Sequence, residues 1–233
     1  MSRLKWDQDN ERLYETGVKN GVLFVKQSNG NYGNGIAWNG LTAVTESPSG
    51  AEANPLYADD IKYLNLYSKE ELGGTIEAYT YPEEFTACDG SASLMSGVIL
   101  GQQKRSEFAF CYRTAIGNDT DGDTHGFKLH IIYGCKASPS ERAYATINDS
   151  PEAITFSWEF TTAPVTFTIN GVEYVTSSIT IDSTKFTEPA AKAKLDELLD
   201  LIYGTDGASD GDSGTSSTLP TPAQVYDTLK AAA

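Results

Sequence analysis

Two histidines, His125 and His130, and three cysteines, Cys88, Cys111 and Cys135, are the side chains on which metal or nucleophilic chemistry would have to rest. Their spacing matches no zinc pattern. An odd number of cysteines closes no disulfide framework, and Cys111 lies in an apolar strand-like run where a thiol packs as a small hydrophobe. A Ser/His/Asp triad would need one of the histidines, and both are expected at or near a strand end. No nucleophile elbow is present. Acid pairs occur at Asp59-Asp60, Glu70-Glu71 and Glu83-Glu84. Glycosidases work with two carboxylates across a cleft, but a chain with 32 acids supplies chance pairs in any case.

The segment Asp119-Thr120-Asp121-Gly122-Asp123-Thr124 resembles a calcium loop at first sight. An EF-hand loop starting at Asp119 needs glycine at its sixth position and glutamate at its twelfth, where this chain has Thr124 and His130. A turn between two strands is the plainer reading, with weak calcium binding over Asp119–Asp123 left open. The glycine-rich run 29–35 lacks the lysine and helix of a phosphate cradle and reads as a loop. The many tyrosines, among them Tyr57, Tyr63, Tyr67, Tyr79 and Tyr81, would serve sugar binding or core and interface area equally well. No catalytic residue, cofactor site or metal site is assigned, and the chain is expected not to be an enzyme.

What would position such residues is mostly β-structure. Ile154, Phe156, Trp158 and Phe160 alternate with Thr155, Ser157, Glu159 and Thr161, which predicts a strand over 154–161 with one dry and one polar face. Phe127, Leu129, Ile131 and Tyr133 repeat the pattern. Asn170-Gly171 between alternating runs predicts a hairpin, because both residues tolerate positive φ. Further strands are expected at 22–25, 75–81, 106–115 and 177–182. Ala191, Leu195, Leu198, Leu199 and Ile202 recur at helical spacing, so one helix is expected near 188–203, with Pro189 in its first turn and Gly204 at its end.

These elements divide the chain into an N-terminal arm (1–20), a β-domain (21–204), an acidic Gly/Ser/Asp linker (205–218) and a C-terminal arm (219–233). The arm carries Leu219, Pro220, Val225, Tyr226 and Leu229. Apolar residues beyond a polar linker need a surface. The plain reading is a frayed tail; the sharper one is an arm docking on a neighbouring subunit. A mainly β (α+β) sandwich with one flanking helix and terminal arms accounts for the pattern.

Composition narrows the partners. With 32 acidic against 17 basic side chains the net charge is −15, which disfavours nucleic acid and anionic membrane surfaces. The opening residues Met1–Asp7 lack the apolar core of a signal peptide, and no run approaches the ~20 apolar residues of a membrane span, so synthesis in the cytoplasm is expected.

Several segments in order resemble the major tail (tail-tube) proteins of siphophages infecting Gram-positive bacteria. They are Ala-Trp-Asn-Gly-Leu-Thr-Ala-Val at 37–44, Pro-Leu-Tyr-Ala-Asp-Asp-Ile-Lys-Tyr at 55–63, and Thr-Ile-Glu-Ala-Tyr-Thr-Tyr-Pro at 75–82. Cys-Tyr-Arg-Thr-Ala-Ile-Gly-Asn-Asp-Thr at 111–120, Asn-Asp-Ser-Pro-Glu-Ala-Ile-Thr-Phe at 148–156 and Ile-Asp-Ser-Thr-Lys at 181–185 follow. The resemblance runs over roughly residues 20 to 204. It implies a β-sandwich subunit that forms stacked hexameric rings around a tape-measure protein, flanked by tail terminator and distal tail proteins. The resemblance also implies that DNA passes the bore into the host without specific binding. It implies a place in the virion, after assembly in the host cytoplasm. The polar face Thr155, Ser157, Glu159 and Thr161 is the candidate tube wall. A carbohydrate-binding module or adhesin is the alternative.

Overall fold

The computed structural model describes residues 3–147, 149, 152–206 and 214–230. The strands in chain order are β1 (Tyr14–Val25), β2 (Ile36–Trp38), β3 (Leu41–Ser49), β4 (Ala53–Ala58), β5 (Ile61–Tyr67) and β6 (Glu71–Ala78). A short helix α1 (Thr86–Asp89) precedes β7 (Ala92–Met95), β8 (Val98–Leu100), β9 (Phe108–Asn118) and β10 (Gly122–Ala137). Then come β11 (Phe156–Thr162), β12 (Val165–Ile169), β13 (Val172–Thr176) and β14 (Ser178–Asp182), followed by α2 (Pro189–Tyr203) and α3 (Pro222–Lys230). The chain is mainly β, with antiparallel sheets and a few helices.

One sheet runs β2-β1-β9-β10-β11-β6-β3, and β14 joins it through β10. Its two end strands, β2 and β3, are consecutive in the chain and are joined through Asn39 and Gly40. The sheet therefore curls back on itself. Inside the curl lies an aromatic core of Trp38, Phe85, Phe108, Phe110, Trp158 and Phe160. Trp38 meets Phe85 at 4.6 Å and Trp158 at 5.6 Å between ring centroids. The Trp38 Nε1–H donates to the Thr80 carbonyl at 2.9 Å, which gives its one polar atom a partner.

β9 explains why there are two cores. Phe108, Phe110 and Tyr112 point into the curl, while Ala109 and Cys111 point the other way. That second face, with Leu129, Ile131 and Tyr133 of β10, is covered by Leu195, Leu198 and Ile202 of α2 and by Val225 of α3. A strand buried on both faces reads as a continuous apolar run. The helical stripe read from the sequence is the face that packs: Ala191, Leu195, Leu198 and Ile202 are buried, and Pro189 opens the helix.

β10 changes partner along its length. Residues 128–132 pair with β14, and residues 135–137 pair with β11. Between them the register with β9 shifts, and Gly134 holds φ 63°. This bulge bends the strand from one neighbour to the other. A Cβ at Gly134 would collide with the Ala163 carbonyl, whose own N–H donates to the Gly134 carbonyl at 2.9 Å. Gly134→Ala is therefore expected to cost roughly 2–4 kcal/mol, from left-handed strain plus the clash, read as a lower urea midpoint. An unchanged midpoint would mean that the bulge relaxes freely.

The hairpin at Asn170-Gly171 forms with φ 49° and 79°, joining β12 to β13. The strand expected from residue 154 starts at Phe156; Ile154 and Thr155 precede it. His125 lies near the start of β10, as expected, but His130 sits mid-strand. More helix is present than the one expected, because 222–230 is itself helical. Of the expected linker, 207–213 lies outside the described residues. Its last part is tied down: the Thr218 N–H donates to the Leu201 carbonyl at 2.7 Å, and Ser217 Oγ–H to that of Ile202.

Candidate assembly surface

Asp59 and Asp60, an acid pair in the sequence, form the two-residue turn between β4 and β5, with φ 51° and 60°. This turn closes a two-stranded ribbon outside the main sheet. One face of the ribbon carries Leu56, Leu64 and Leu66 and the other Tyr57 and Tyr67, by strand alternation and register, with a register shift between Leu56 and Tyr57. Tyr57 is 71% exposed, Tyr63 68% and Ile61 65%. A two-stranded ribbon alone is marginally stable in water, and large exposed apolar patches mark contact surfaces. The β7–β8 ribbon is similar, with Leu94, Met95 and Ile99 exposed.

The outward face of β3, β6 and β11 has the opposite character. Thr45 aligns with Thr75 and Glu159, Ser47 with Gly73 and Thr161, and Ala43 with Glu77 and Ser157. Nothing large, apolar or basic stands in these rows. Three of the four residues expected for a polar wall lie here: Ser157 half-buried, Glu159 and Thr161 exposed. Thr155, exposed, falls just before the strand. β3 ends the sheet, so its backbone edge opposite β6 is unpaired within the sheet.

The first half of β1 and the edge of β3 face each other across a seam where the curl stays open. Glu15, Val18, Thr42, Val44, Glu46, Tyr112, Thr114 and His130 line it. The His130 ring stacks on Tyr112 at 4.5 Å, and Tyr112 donates to Glu46 at 2.7 Å. Thr114 donates to Glu15 at 2.6 Å, and Lys128 also bonds Glu15. Burial pushes the His130 imidazole below its ordinary value, against the raising pull of Glu46 and Glu15. Burial raises Glu15 too, but the bonds from Lys128 and Thr114 outweigh it and hold the carboxyl low. Burial and Glu46 together raise the Tyr112 hydroxyl.

These shifts set a pH dependence. Folded His130 holds its proton less firmly than the unfolded chain does, so its contribution is full above the unfolded value of 6.5 and declines as pH falls below it. Glu15 adds a further loss only in the carboxylate range, as pH falls through its lowered folded value. The melting temperature is expected to fall between about pH 7.5 and 5.5, and His130→Gln to flatten that slope. An equal slope in both proteins would remove His130 as the cause.

All three cysteines are buried and free. Burial raises Cys111, and raises Cys88 to about 12, so neither is a thiolate near neutral pH. The Asp119–Asp123 loop is a turn held by local bonds: Asn118 Oδ1 accepts from the Thr120 N–H at 3.1 Å and from Asp121, and Asp121 pairs with His125 at 2.9 Å.

The C-terminal segment lies against the second core of its own chain. Val225 is 4% exposed, and Leu219 and Leu229 pack on the second core. Tyr133 Oη–H donates to the Pro220 carbonyl at 2.9 Å. Tyr226 accepts from Asn170 at 3.2 Å. The apolar side of the segment faces α2 and β12, which offer an apolar face within reach. The β4–β5 and β7–β8 ribbons escaped the sequence reading. The signal was present in the apolar residues flanking Asp59-Asp60, a pair able to adopt positive φ.

No helix among the described residues is long and apolar enough to cross a membrane. No family model matches the chain, and no curated protein matches it. Among solved structures it is similar to a chain of the sheath–tube complex of an extracellular contractile injection system (PVC) in its extended state, with 10% identity over 70% of this chain and 88% of that one, at a TM-score of 0.30. A superposition that loose carries no argument about role.

Proposed function

We propose that this chain is a structural subunit of a phage-type tail tube, not an enzyme: copies associate side by side into rings, the rings stack, and the bore conducts the genome into the host. The observation that supports this most is the β4–β5 ribbon, with apolar or aromatic side chains on both faces and no further strand paired to it among the described residues. Such a ribbon is suited to being covered on both sides by other copies. The part of the β3 edge beyond its seam with β1 suits strand pairing between copies, since closure into a continuous wall removes sheet edges.

The polar face of β3, β6 and β11 fits the wall of a wet bore. Two unit charges 10 Å apart in water repel by only ~0.4 kcal/mol, and salt screens beyond ~8 Å. Rings of Glu77 and Glu159 repeated along a tube would still discourage phosphate from adhering, where lysines would hold it. Six subunits per ring, a tape-measure protein inside, and terminator and distal proteins at the ends follow from the sequence resemblance. So do assembly in the host cytoplasm and residence in the virion. The domain plan is a β-body that begins with β1 at Tyr14, earlier than the expected residue 21, and runs to 204, with an N-terminal arm before it and the acidic linker and a C-terminal segment after it. Sugar binding is less well supported, because Tyr57, Tyr63 and Tyr67 keep company with leucine and isoleucine and few polar groups.

Negative-stain imaging of the purified chain over a range of concentrations tests the reading. Rings or tubes are the expected result. A strictly monomeric protein at high concentration, even with a tail initiator complex added, would refute it.

A further inference from the structure

Charge in this chain is unevenly placed. Five of its 17 basic residues, Lys26, Lys104, Arg105, Lys136 and Arg142, line two clefts that share Arg105. Only two carboxylates, Asp89 and Glu107, line them too. The larger cleft has a volume of about 580 Å³ and is walled by α1, the loop after β8 and the segment after β10. The ends of β1 and β10 and the start of β9 bring the lysines together: the Lys26 N–H donates to the Glu107 carbonyl at 2.8 Å, and Cys135 stands opposite Phe108.

Both carboxylates already have cationic partners. Glu107 takes Lys26 Nζ at 2.7 Å and the Tyr32 hydroxyl at 3.1 Å. Asp89 accepts from Arg142 through Oδ2. Among the described residues, Lys104, Arg105 and Lys136 have no acid within ion-pair distance. Two buried atoms in the larger cleft also lack any hydrogen bond, Arg105 Nε and Asp89 Oδ1. The Asp89 side chain is 2% exposed. Both atoms have almost no accessible surface, so the cleft meets a ligand through the charge of Arg105, Lys104 and Lys136.

The cleft therefore calls for an anion at Arg105, with Lys104 and Lys136 beside it. An acidic stretch of polypeptide supplies it as side-chain carboxylates. A phosphodiester backbone carries the same sign of charge and is therefore the competing probe. The abundant source of acidic polypeptide is this chain itself. Two copies at −15 each repel, so contact is favoured where one copy's cations meet the other's acids.

We propose that the cleft around Arg105 receives an acidic segment of a second copy of this chain. The choice of occupant rests on the self-assembly reading; the chemistry of the cleft does not. The test has two arms. Binding of hexaglutamate peptide to the full chain is measured by calorimetry for wild type, Arg105→Gln and the double variant Lys104→Gln/Lys136→Gln, with a hexameric single-stranded oligonucleotide as the competing probe. Self-association of the same three proteins is measured by sedimentation.

Hexaglutamate binding that weakens about tenfold or more in the variants, with a matching loss of self-association, supports the proposal. Absent binding, or binding unchanged in the variants, overturns it. Tighter binding of the oligonucleotide at equal ionic strength overturns the occupant. Self-association untouched by the variants overturns the cleft as an interface and leaves the tube reading standing. A wild type that binds hexaglutamate yet stays monomeric overturns the tube reading and the occupant with it. Lys104 and Lys136 are exposed, so the double variant answers even where Arg105→Gln fails to fold.

Discussion

On the proposed tube reading, aspartate at Tyr57, Ile61 and Tyr63 together is expected to leave a folded chain that forms neither rings nor tubes. The three side chains are 65–71% exposed in the isolated subunit, so their replacement removes little from its own packing. Surface substitutions of this kind change stability by about 0.5 kcal/mol each, and the melting temperature is expected to shift by only a few degrees. Between copies the effect is much larger. Burying one such side chain stabilises by roughly 1.5–3 kcal/mol, and three carboxylates in an apolar contact add a desolvation cost. Association is expected to weaken by about 10³-fold or more. Sedimentation and negative-stain imaging beside a thermal melt check it. Tubes as abundant as those of wild type would show that the ribbon lies outside the contact. A melting temperature lower by more than about 10 °C would show that the ribbon belongs to the core of its own subunit.

Deleting residues 219–233 is expected to have the reverse profile. The segment seats Val225 on Leu195, Leu198 and Ile202, and accepts the Tyr133 hydroxyl at the Pro220 carbonyl. Its loss exposes that apolar face and leaves the Tyr133 hydroxyl to find a water. One buried valine, two partly buried leucines and one hydrogen bond amount to about 4 kcal/mol. For a domain of this size that is a fall of roughly 8–16 °C in melting temperature. Calorimetry on the truncated chain decides it. The sequence alone points to weakened stacking with little change in the monomer. An unchanged melting temperature would restore that view and return the segment to the role of an arm for a neighbour.

The strands were readable where a single local rule sufficed. Trp158 and Phe160 alternate with Glu159 and Thr161 because β11 has one dry face, and period two reports a dry face directly. The Asn170-Gly171 turn announces its hairpin because few other pairs hold positive φ at both positions. The ribbon of β4 and β5 was not recognised. Apolar residues there fall on both faces, so the alternation signal is lost, and Asp59-Asp60 reads equally well as a carboxylate pair. The apolar residues of α3, Val225, Tyr226 and Leu229, were visible in the sequence. What the helix covers was not visible, because its contacts lie across α2, β12 and β10.

Local composition and periodicity thus settled the mainly β character, the apolar stripe of α2, the polar side of β11 and the acidic balance, since each depends only on neighbours along the chain. Tertiary structure decided the rest. It showed that β10 turns at Gly134 to serve two partners, that β1 and β3 leave a seam around His130, and that Lys104, Arg105 and Lys136 gather in one cleft. These are juxtapositions of residues far apart in sequence. They arise from how the sheet curls, and curling reflects the sum of twist, bulge and packing over many strands, which no single stretch of residues encodes.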